Sequence, residues 1–426
     1  MSGTALDPGT DELAGPEREV ADVAASRDLV RKYADAFDAV GTGALARERE
    51  RRQPHAAISL LRTVGFTRTT LPVELGGDGA THAELFELLA ELARRDPNVA
   101  QALRPHFNFI DRLRHLPDSA AGVRERHLRR IAEGSVQGNA TFERSGAAIG
   151  EQVTAVTADE DGLRLDGRKF YSTGTLTADH VGVLAVRDGA PVSVVIPTDS
   201  PGVTRIDDWA GFGQRLTGSG TTVFENVRIT EGDLIERDAE RPTHSSAFAQ
   251  LVLVAVITGI GRAVVDDAAG YVRSRTRHFS HAAGETAQRD PLVQEVVGEL
   301  AAKSFAADGA LALAAAAIGR SSAAIRSDAP EDVQRGLVAE AERATALAQL
   351  VAIQNVLPAA TDLFEVGGAS ATDESRALDR HWRNARTVAS HNPSRYKARG
   401  VGDLLINGTP LVGWWTGGEA KGSAVE

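Results

Sequence analysis

The feature that most constrains the fold is a change of hydrophobic pattern that occurs twice along the chain. In residues 25–133, and again in residues 241–426, apolar side chains recur three and four positions apart, which predicts amphipathic helices. Residues 134–240 instead carry short alternating runs separated by glycine, proline and aspartate, which predict strands. We therefore expect an α+β protein in which a compact antiparallel barrel or sandwich lies between two helical domains, with residues 1–24 disordered.

Capping signals define one of the N-terminal helices. Thr81 lies three residues before Glu84, and this capping box predicts a helix from His82 to Arg95. A further helix is expected from Val99 to Leu113. That helix carries His106 among apolar neighbours, where a histidine is either a satisfied core residue or a functional group.

Composition excludes several classes of protein. A net charge of −11 argues against nucleic acid as a partner, and the absence of cysteine excludes disulfides, thiolate nucleophiles and cysteine-ligated metals. No histidine and carboxylate spacing is typical of a metal site, so we expect no metal. The acidic start lacks the apolar stretch of a signal peptide, and the apolar run Leu251–Ile257 is far shorter than the roughly 20 residues of a membrane span. We expect a soluble, cytoplasmic protein with no membrane association.

Residues 163–175 combine a turn signal with a cluster of hydroxyl side chains. Asp166-Gly167 lies between two alternating runs and predicts a hairpin turn. The second strand ends at Ser172 and Thr173, next to Gly174, and such an end suits close approach of the backbone to a planar ligand. The alternative is an ordinary hairpin with a polar loop.

A second glycine-rich stretch covers residues 209–220. Its glycines could cradle a phosphate, but their spacing is not a dinucleotide fingerprint and no βαβ unit surrounds them, so a Rossmann domain is excluded. Its aromatic residues, Trp209 and Phe212, are expected in the core of the β domain.

Three motifs together resemble the acyl-CoA dehydrogenase superfamily over roughly residues 25–415. Leu71–Gly77 is similar to its P-x-x-x-G-G loop, Lys169–Gly174 to its K-x-W-I-T-N-G strand, and Phe364–Gly368 to its x-F-G-G-x-G turn. The resemblance implies an N-terminal helical domain, a middle antiparallel β-barrel and a C-terminal four-helix bundle.

The resemblance also implies flavin contacts. Thr173 would hydrogen-bond the redox edge of the ring, Tyr171 would pack against it, and Asn139 and Thr141 would lie on the first flavin-lining strand. The turn that contacts a flavin across a subunit interface, and the arginines near its phosphates, would supply Glu365, Gly367, Gly368, Arg275, Arg277 and Phe279.

The chain departs from the dehydrogenases near its end. Where they carry a catalytic glutamate, Arg383–Arg386 is followed by His391-Asn392-Pro393 with no carboxylate, which is a poor match to α-proton abstraction. This segment resembles the flavin-dependent monooxygenase branch of the superfamily, which includes the dibenzothiophene monooxygenases and the amino-sugar N-oxygenases. A dehydrogenase or oxidase with a relocated base remains the alternative, and a catalytically idle homologue is a third.

The monooxygenase resemblance implies a two-component reaction. Reduced FMN or FAD, supplied by a separate NAD(P)H-flavin reductase, would react with O2 to a peroxyflavin that oxygenates a small organic substrate at carbon, nitrogen or sulfur. The expected hydrogen-bond donors are His391, Ser172, Thr173 and His106, although His391 could simply cap a helix end. The alanine-rich C-terminal helices suggest a homotetramer built from dimers.

Overall fold

The computed structural model describes residues 16–144, 153–237, 240–277, 280–327 and 329–411. The expected disordered segment lies partly outside these ranges, but residues 16–24 belong to a helix, and that part of the prediction is wrong. Proline at the first position of the helix needs no hydrogen-bond acceptor, so it suits a helix start. The N-terminal helices of the described chain are α1 (Pro16–Thr42), α2 (Ala44–Glu50), α3 (His55–Thr63), α4 (His82–Arg95), α5 (Pro97–Ala102), α6 (Arg104–Arg114) and α7 (Ala121–Ala132).

Helix α4 begins at the predicted capping box. The Thr81 hydroxyl accepts from the Glu84 backbone N–H at 3.2 Å, and the Glu84 carboxylate accepts from the Thr81 N–H at 2.7 Å. Both otherwise unsatisfied donors are thereby paired. Leu85, Leu88 and Leu92 on one face of α4 are fully buried, so the cap and the apolar face specify the same helix.

The expected single helix over Val99–Leu113 is wrong, because Leu103 separates α5 from α6. Pro105 lies in the first turn of α6, where its missing N–H costs nothing; inside a continuous helix it would break the hydrogen-bond ladder. The break makes Arg104 the first residue of α6, and this position matters for the site.

The middle of the chain forms one sheet in the order β6-β7-β3-β2-β4-β5-β8, with β1 also paired to β4. Both β1 and β2 run parallel to β4, and the described edge strands β6 and β8 do not pair. The predicted antiparallel barrel is therefore wrong: the sheet is mixed and open. Alternation specifies which side chains face the core, but not which strand lies alongside or in which direction. The strands are β1 (Gln137–Ala140), β2 (Ala155–Asp159), β3 (Gly162–Lys169), β4 (His180–Arg187), β5 (Ala190–Pro197), β6 (Val203–Ile206), β7 (Thr221–Ile229) and β8 (Leu234–Glu236).

The hairpin turn predicted at Asp166-Gly167 is also wrong. The turn lies at Glu160-Asp161, and β3 runs straight through Asp166, with a register shift against β7 that marks a β-bulge. The Asp166 carboxylate accepts the Asn226 N–H at 2.6 Å, and a Cβ on Gly167 would lie 2.3 Å from the Thr154 hydroxyl. The Asp-Gly pair thus serves a bulge and a close strand contact.

The C-terminal part of the described chain has three long helices and two shorter ones. The predicted helical domain is therefore confirmed, but its description as a four-helix bundle is not. The helices of both ends share one apolar core, and the sheet has its own. The C-terminal helices are α8 (Ser245–Ser274), α9 (Pro291–Arg326), α10 (Glu331–Asp362), α11 (Asp379–Ala389) and α12 (Ser394–Asn407).

Three segments, which contain α8, α9 and α10, are long and apolar enough to cross a membrane by length and composition alone. Of the most apolar 18-residue stretch of α8, 78% is buried inside the chain, as in the core helix of a globular domain. The corresponding values are 39% for α9 and 44% for the segment containing α10, so much of their apolar surface lies outside the single-chain core. The expected lack of membrane association stays a prediction.

Candidate functional site

The segment that follows β3 brings several predicted site residues together where the sheet meets the helices. The Ser172 N–H donates to Gly220 O at 3.1 Å, and the Asn139 N–H donates to Thr173 O at 3.1 Å. Thr141 is tied to the same strand through its hydroxyl, which donates to the Asn139 side chain at 2.5 Å. Asn139, Thr141, Ser172 and Thr173 therefore form one group.

Gly174 holds this segment against the helical domain. Its φ of +77° is in the left-handed region, and an added Cβ would lie 2.4 Å from the Ala102 carbonyl oxygen and 3.2 Å from Pro105. The contact joins the end of β3 to the junction between α5 and α6.

Hydroxyl groups are concentrated at this point. The Thr173 and Ser219 hydroxyls are 2.9 Å apart, and Ser219 and Thr217 are 2.8 Å apart. The buried Ser172 hydroxyl has no hydrogen-bond partner among the described residues. Because an unsatisfied buried hydroxyl costs about 1–3 kcal/mol, a bound polar group at Ser172 would be favoured.

An aromatic surface lies beside the hydroxyls. Tyr171 has a φ of +64°, which is strained for a residue with a side chain, and remains 44% exposed with its ring edge-on to Trp209 at 5.9 Å. Phe212 is 55% exposed and stacks on Trp382 of α11 at 5.9 Å. The prediction that Phe212 belongs to the β core is wrong, because its loop packs on α11; Trp209 is half-buried.

His391 follows α11 and faces Arg104. The Arg104 Nη1–H donates to His391 Nε2 at 3.0 Å. Because a guanidinium only donates, Nε2 must accept, and the proton of the neutral ring is on Nδ1. The His391 side chain is exposed to solvent, yet desolvation by surrounding protein, followed by the Arg104 charge, lowers its pKa to about 3. The ring is therefore neutral near physiological pH.

His106 is hydrogen-bonded on both ring nitrogens. Its Nε2 lies 2.5 Å from Thr67 O, and its Nδ1 accepts the Gln137 N–H at 3.2 Å. The ring is fully buried, and burial lowers its pKa to about 4. This geometry matches the alternative of a satisfied core histidine, since a donor role would break the bond to Thr67.

The other predicted flavin contacts form a second group at the C-terminal end of α8. The Arg275 guanidinium donates to Val366 O at 2.7 Å, and the Tyr271 hydroxyl lies 2.6 Å from the Ser370 hydroxyl in the following turn. Glu365 and Gly368 of that turn are exposed. Gly367 is buried, Arg277 is exposed, and Phe279 lies outside the described residues.

A third group lies in the helical core. His82 Nε2 and His244 Nε2 lie 2.8 and 3.0 Å from the two carboxylate oxygens of Asp111, a grouping that could hold a metal ion. Sequence spacing missed it because the residues come from three separate elements. Direct hydrogen bonds already satisfy both carboxylate oxygens, so the cluster is stable without an ion.

Sequence analysis missed Arg104, Ser219 and Trp382 as parts of the site. A usable signal for Arg104 was its position before Pro105 at a helix start, with no acidic residue within a helical turn. Ser219 and Trp382 carried no local signal, because their relevance depends on contacts with Thr173 and Phe212.

Known proteins are similar to this chain in both sequence and fold. Residues 251–395 match the family model "Acyl-CoA dehydrogenase, C-terminal domain". Dibenzothiophene monooxygenase of Mycolicibacterium goodii is 31% identical over 90% of this chain and 92% of its own length. The probable FMNH2-dependent monooxygenase SfnC of Pseudomonas putida is 26% identical over 90% and 94%.

Among solved structures, the FMN-bound TdsC of Paenibacillus sp. A11-2 superposes with a TM-score of 0.79 at 26% identity, covering 89% of this chain and 98% of that one. The relatives are monooxygenases, so they support this activity over a dehydrogenase with a relocated base. The chain therefore belongs to the flavin-dependent monooxygenases of the acyl-CoA dehydrogenase superfamily, the family that contains dibenzothiophene monooxygenase.

Proposed function

We propose that the protein binds reduced FMN, delivered by a separate NAD(P)H-dependent flavin reductase, and uses O2 to oxygenate a small organic molecule. Bound reduced FMN would supply the two electrons with which one oxygen atom is transferred to substrate and the other leaves as water. Relatives described as FMNH2-dependent and FMN-bound support FMN over FAD. The glycine-rich stretch lacks a dinucleotide fingerprint, which supports an external source of electrons.

The observation that carries the proposal is His391. At the position where dehydrogenases place a carboxylate base, this chain holds a neutral imidazole whose Nδ1 carries the proton. Such a ring can donate a hydrogen bond and does not supply a carboxylate for proton abstraction.

The aromatic residues described beside the first group, together with Ser172, fit a flavin ring. The exposed rings of Tyr171, Phe212 and Trp382 offer an apolar surface that a planar ligand would cover, and the unpartnered Ser172 hydroxyl lies close by in the chain.

We infer a homotetramer, because the two groups of predicted flavin contacts are far apart in one chain. Gln349 of α10 donates to Asn392 O beside His391, whereas the Gly367-Gly368 turn follows the end of the same helix. Gln349 and Asp362 are separated by about 20 Å along α10 at 1.5 Å per residue. A second copy that brings its own turn to the first group would complete the site.

An apolar face of α9 suits contact with that second copy. Phe305 and Leu313 are 78% and 74% exposed, and Gly309 between them has open space around it. Apolar side chains so exposed on a small-residue helix are typical of an interface between subunits.

We expect Phe305→Glu to reduce the subunit assembly and, with it, FMN affinity by about tenfold or more, because burying an unpaired carboxylate opposes association. Sedimentation velocity would measure the assembly, and equilibrium titration the affinity. Val73→Glu is the matched control, since Val73 is also exposed, at 69%, but lies in the loop before α4. A Phe305→Glu protein with unchanged mass and affinity would contradict the arrangement.

The activity itself can be tested without knowing the substrate. Anaerobic protein with reduced FMN is mixed with oxygenated buffer in a stopped-flow spectrometer, and flavin absorbance and hydrogen peroxide are followed. We expect two separated phases, an oxygen-dependent one and a slower oxygen-independent one that coincides with peroxide release, because a bound flavin shielded from water would release peroxide more slowly than free flavin. A single phase at the rate of free FMN would refute the proposal, and bleaching of bound oxidised flavin by acyl thioesters would then be examined.

A further inference from the structure

Some of the more buried arginines of the described chain are paired with carboxylates, and others, including Arg104, are not. Arg47 pairs with Asp96 at 2.7 Å, and Arg262 bonds Glu87, Glu91 and Asp308 at 2.7–2.8 Å. Arg104 is half-buried, and its only hydrogen bond within the described residues goes to a neutral imidazole. Desolvation alone lowers its pKa, to about 10, so the group is still a cation near neutral pH.

A partly desolvated cation without a counter-charge is costly, and an anion that reaches it recovers much of that cost. A guanidinium has five N–H donors, of which His391 uses one. The remaining donors form the planar fork that binds carboxylates and related oxyanions through two parallel hydrogen bonds. The geometry at Arg104 therefore suits a small oxyanion.

The position of Arg104 favours the oxyanion of a substrate over the flavin phosphate. The Gly174 contact places the α5–α6 junction against the Ser172–Gly174 segment, and His391 is hydrogen-bonded to the Arg104 guanidinium. The start of α8 is also at this end, since the Ser245 hydroxyl donates to Asn108 of α6 at 3.2 Å. Arg275, one of the two candidate arginines for the flavin phosphate, follows the other end of α8, a helix about 45 Å long.

We propose that Arg104 is the substrate-recognition residue of this site and that the substrate is a small organic acid, held through its carboxylate or an equivalent oxyanion beside His391. Calling this ligand a substrate rests on the proposed function. The anion site itself does not depend on it.

The test uses the flavin-free, full-length protein and three anionic probes, acetate, benzoate and methanesulfonate, each paired with its neutral amide. Isothermal titration should show that at least one anion binds about tenfold or more tightly than its amide. Arg104→Gln should abolish that preference while leaving amide binding and the thermal midpoint unchanged. Arg104→Lys should retain part of it, because the charge remains and the fork is lost.

Arg129→Gln is the matched control, since Arg129 is an exposed helical arginine that forms no ion pair within the described residues, and its loss should change nothing. The proposal is overturned if wild-type protein binds none of the anions in preference to its amide, or if Arg104→Gln keeps the preference. It is also overturned if Arg104→Gln weakens binding of FMN but not of riboflavin, because Arg104 would then hold the flavin phosphate.

The stopped-flow experiment separates this inference from the proposed function. Two-phase reoxidation of FMN without any anion preference would refute the role of Arg104 alone. An anion preference with single-phase reoxidation would refute oxygen activation, leaving Arg104 as the anion site of a different reaction.

Discussion

Replacing His391 with alanine is expected to shorten the interval between oxygen consumption and peroxide release by about 100-fold, because one preorganised donor contributes about that factor in other enzymes. The donor is the Nδ1–H that the Arg104 contact imposes on the ring. Stopped-flow absorbance combined with a peroxide assay would measure the interval. His55→Ala, at an exposed histidine on α3, is the control and should leave it unchanged.

Two further observations would distinguish a donor from a structural residue. His391→Asn keeps an N–H donor, so it should recover part of the interval, whereas a packing role would not be restored by the shorter side chain. The pKa of about 3 means that His391 is neutral above roughly pH 4, so the interval should show no histidine titration between pH 5 and 8. An unaltered interval in His391→Ala would remove this residue from the chemistry.

Replacing Lys169 with methionine is expected to lower the free energy of unfolding by about 3–5 kcal/mol, because it leaves a buried carboxylate without its cation. Lys169 Nζ lies 2.6 Å from Glu143, and the two side chains are 0% and 4% exposed. Glu143 also accepts the Val153 and Thr154 N–H groups at 2.8 and 3.0 Å, so the pair connects the end of β3 to the residues that lead into β2. Urea unfolding followed by circular dichroism would measure the loss.

The pH dependence of Lys169→Met provides a second readout. Burial alone would raise the pKa of Glu143, but the bond from Lys169 and the two backbone bonds outweigh it and lower the pKa to about 2. Since this is below the unfolded value, the stabilisation is fully present above about pH 4.5 and is lost as pH falls toward 2. The variant should therefore lose less stability than wild type across that range.

Two variants serve as controls for the Lys169 prediction. Lys169→Met combined with Glu143→Met should recover part of the loss, because neither charge remains buried alone. Arg335→Met removes an exposed partner of Glu331, at 50% and 67% exposure, and should cost well under about 1 kcal/mol. Equal stability of Lys169→Met and wild type would show that the pair is not stabilising.

The sequence by itself determined those features that depend on neighbours within a few turns of chain. The Thr81–Glu84 box started α4 where predicted, because a cap and its helix are local. The long apolar patterns specified α8, α9 and α10, and the β3 motif indicated where the hydroxyl group at Ser172 and Thr173 would be. The motif resemblance supplied the family, which the relatives confirmed.

Only the tertiary structure decided features that join distant segments. Asp166-Gly167 became a bulge because Asn226 and Thr154 contact it, and His106 became a core residue because Thr67 and Gln137 occupy its ring nitrogens. The contact between Arg104 and His391 joins residues 287 positions apart. No local pattern encodes such a contact, because the protonation of the ring and the unpaired charge of the guanidinium arise only when packing brings the two side chains together and partly desolvates them.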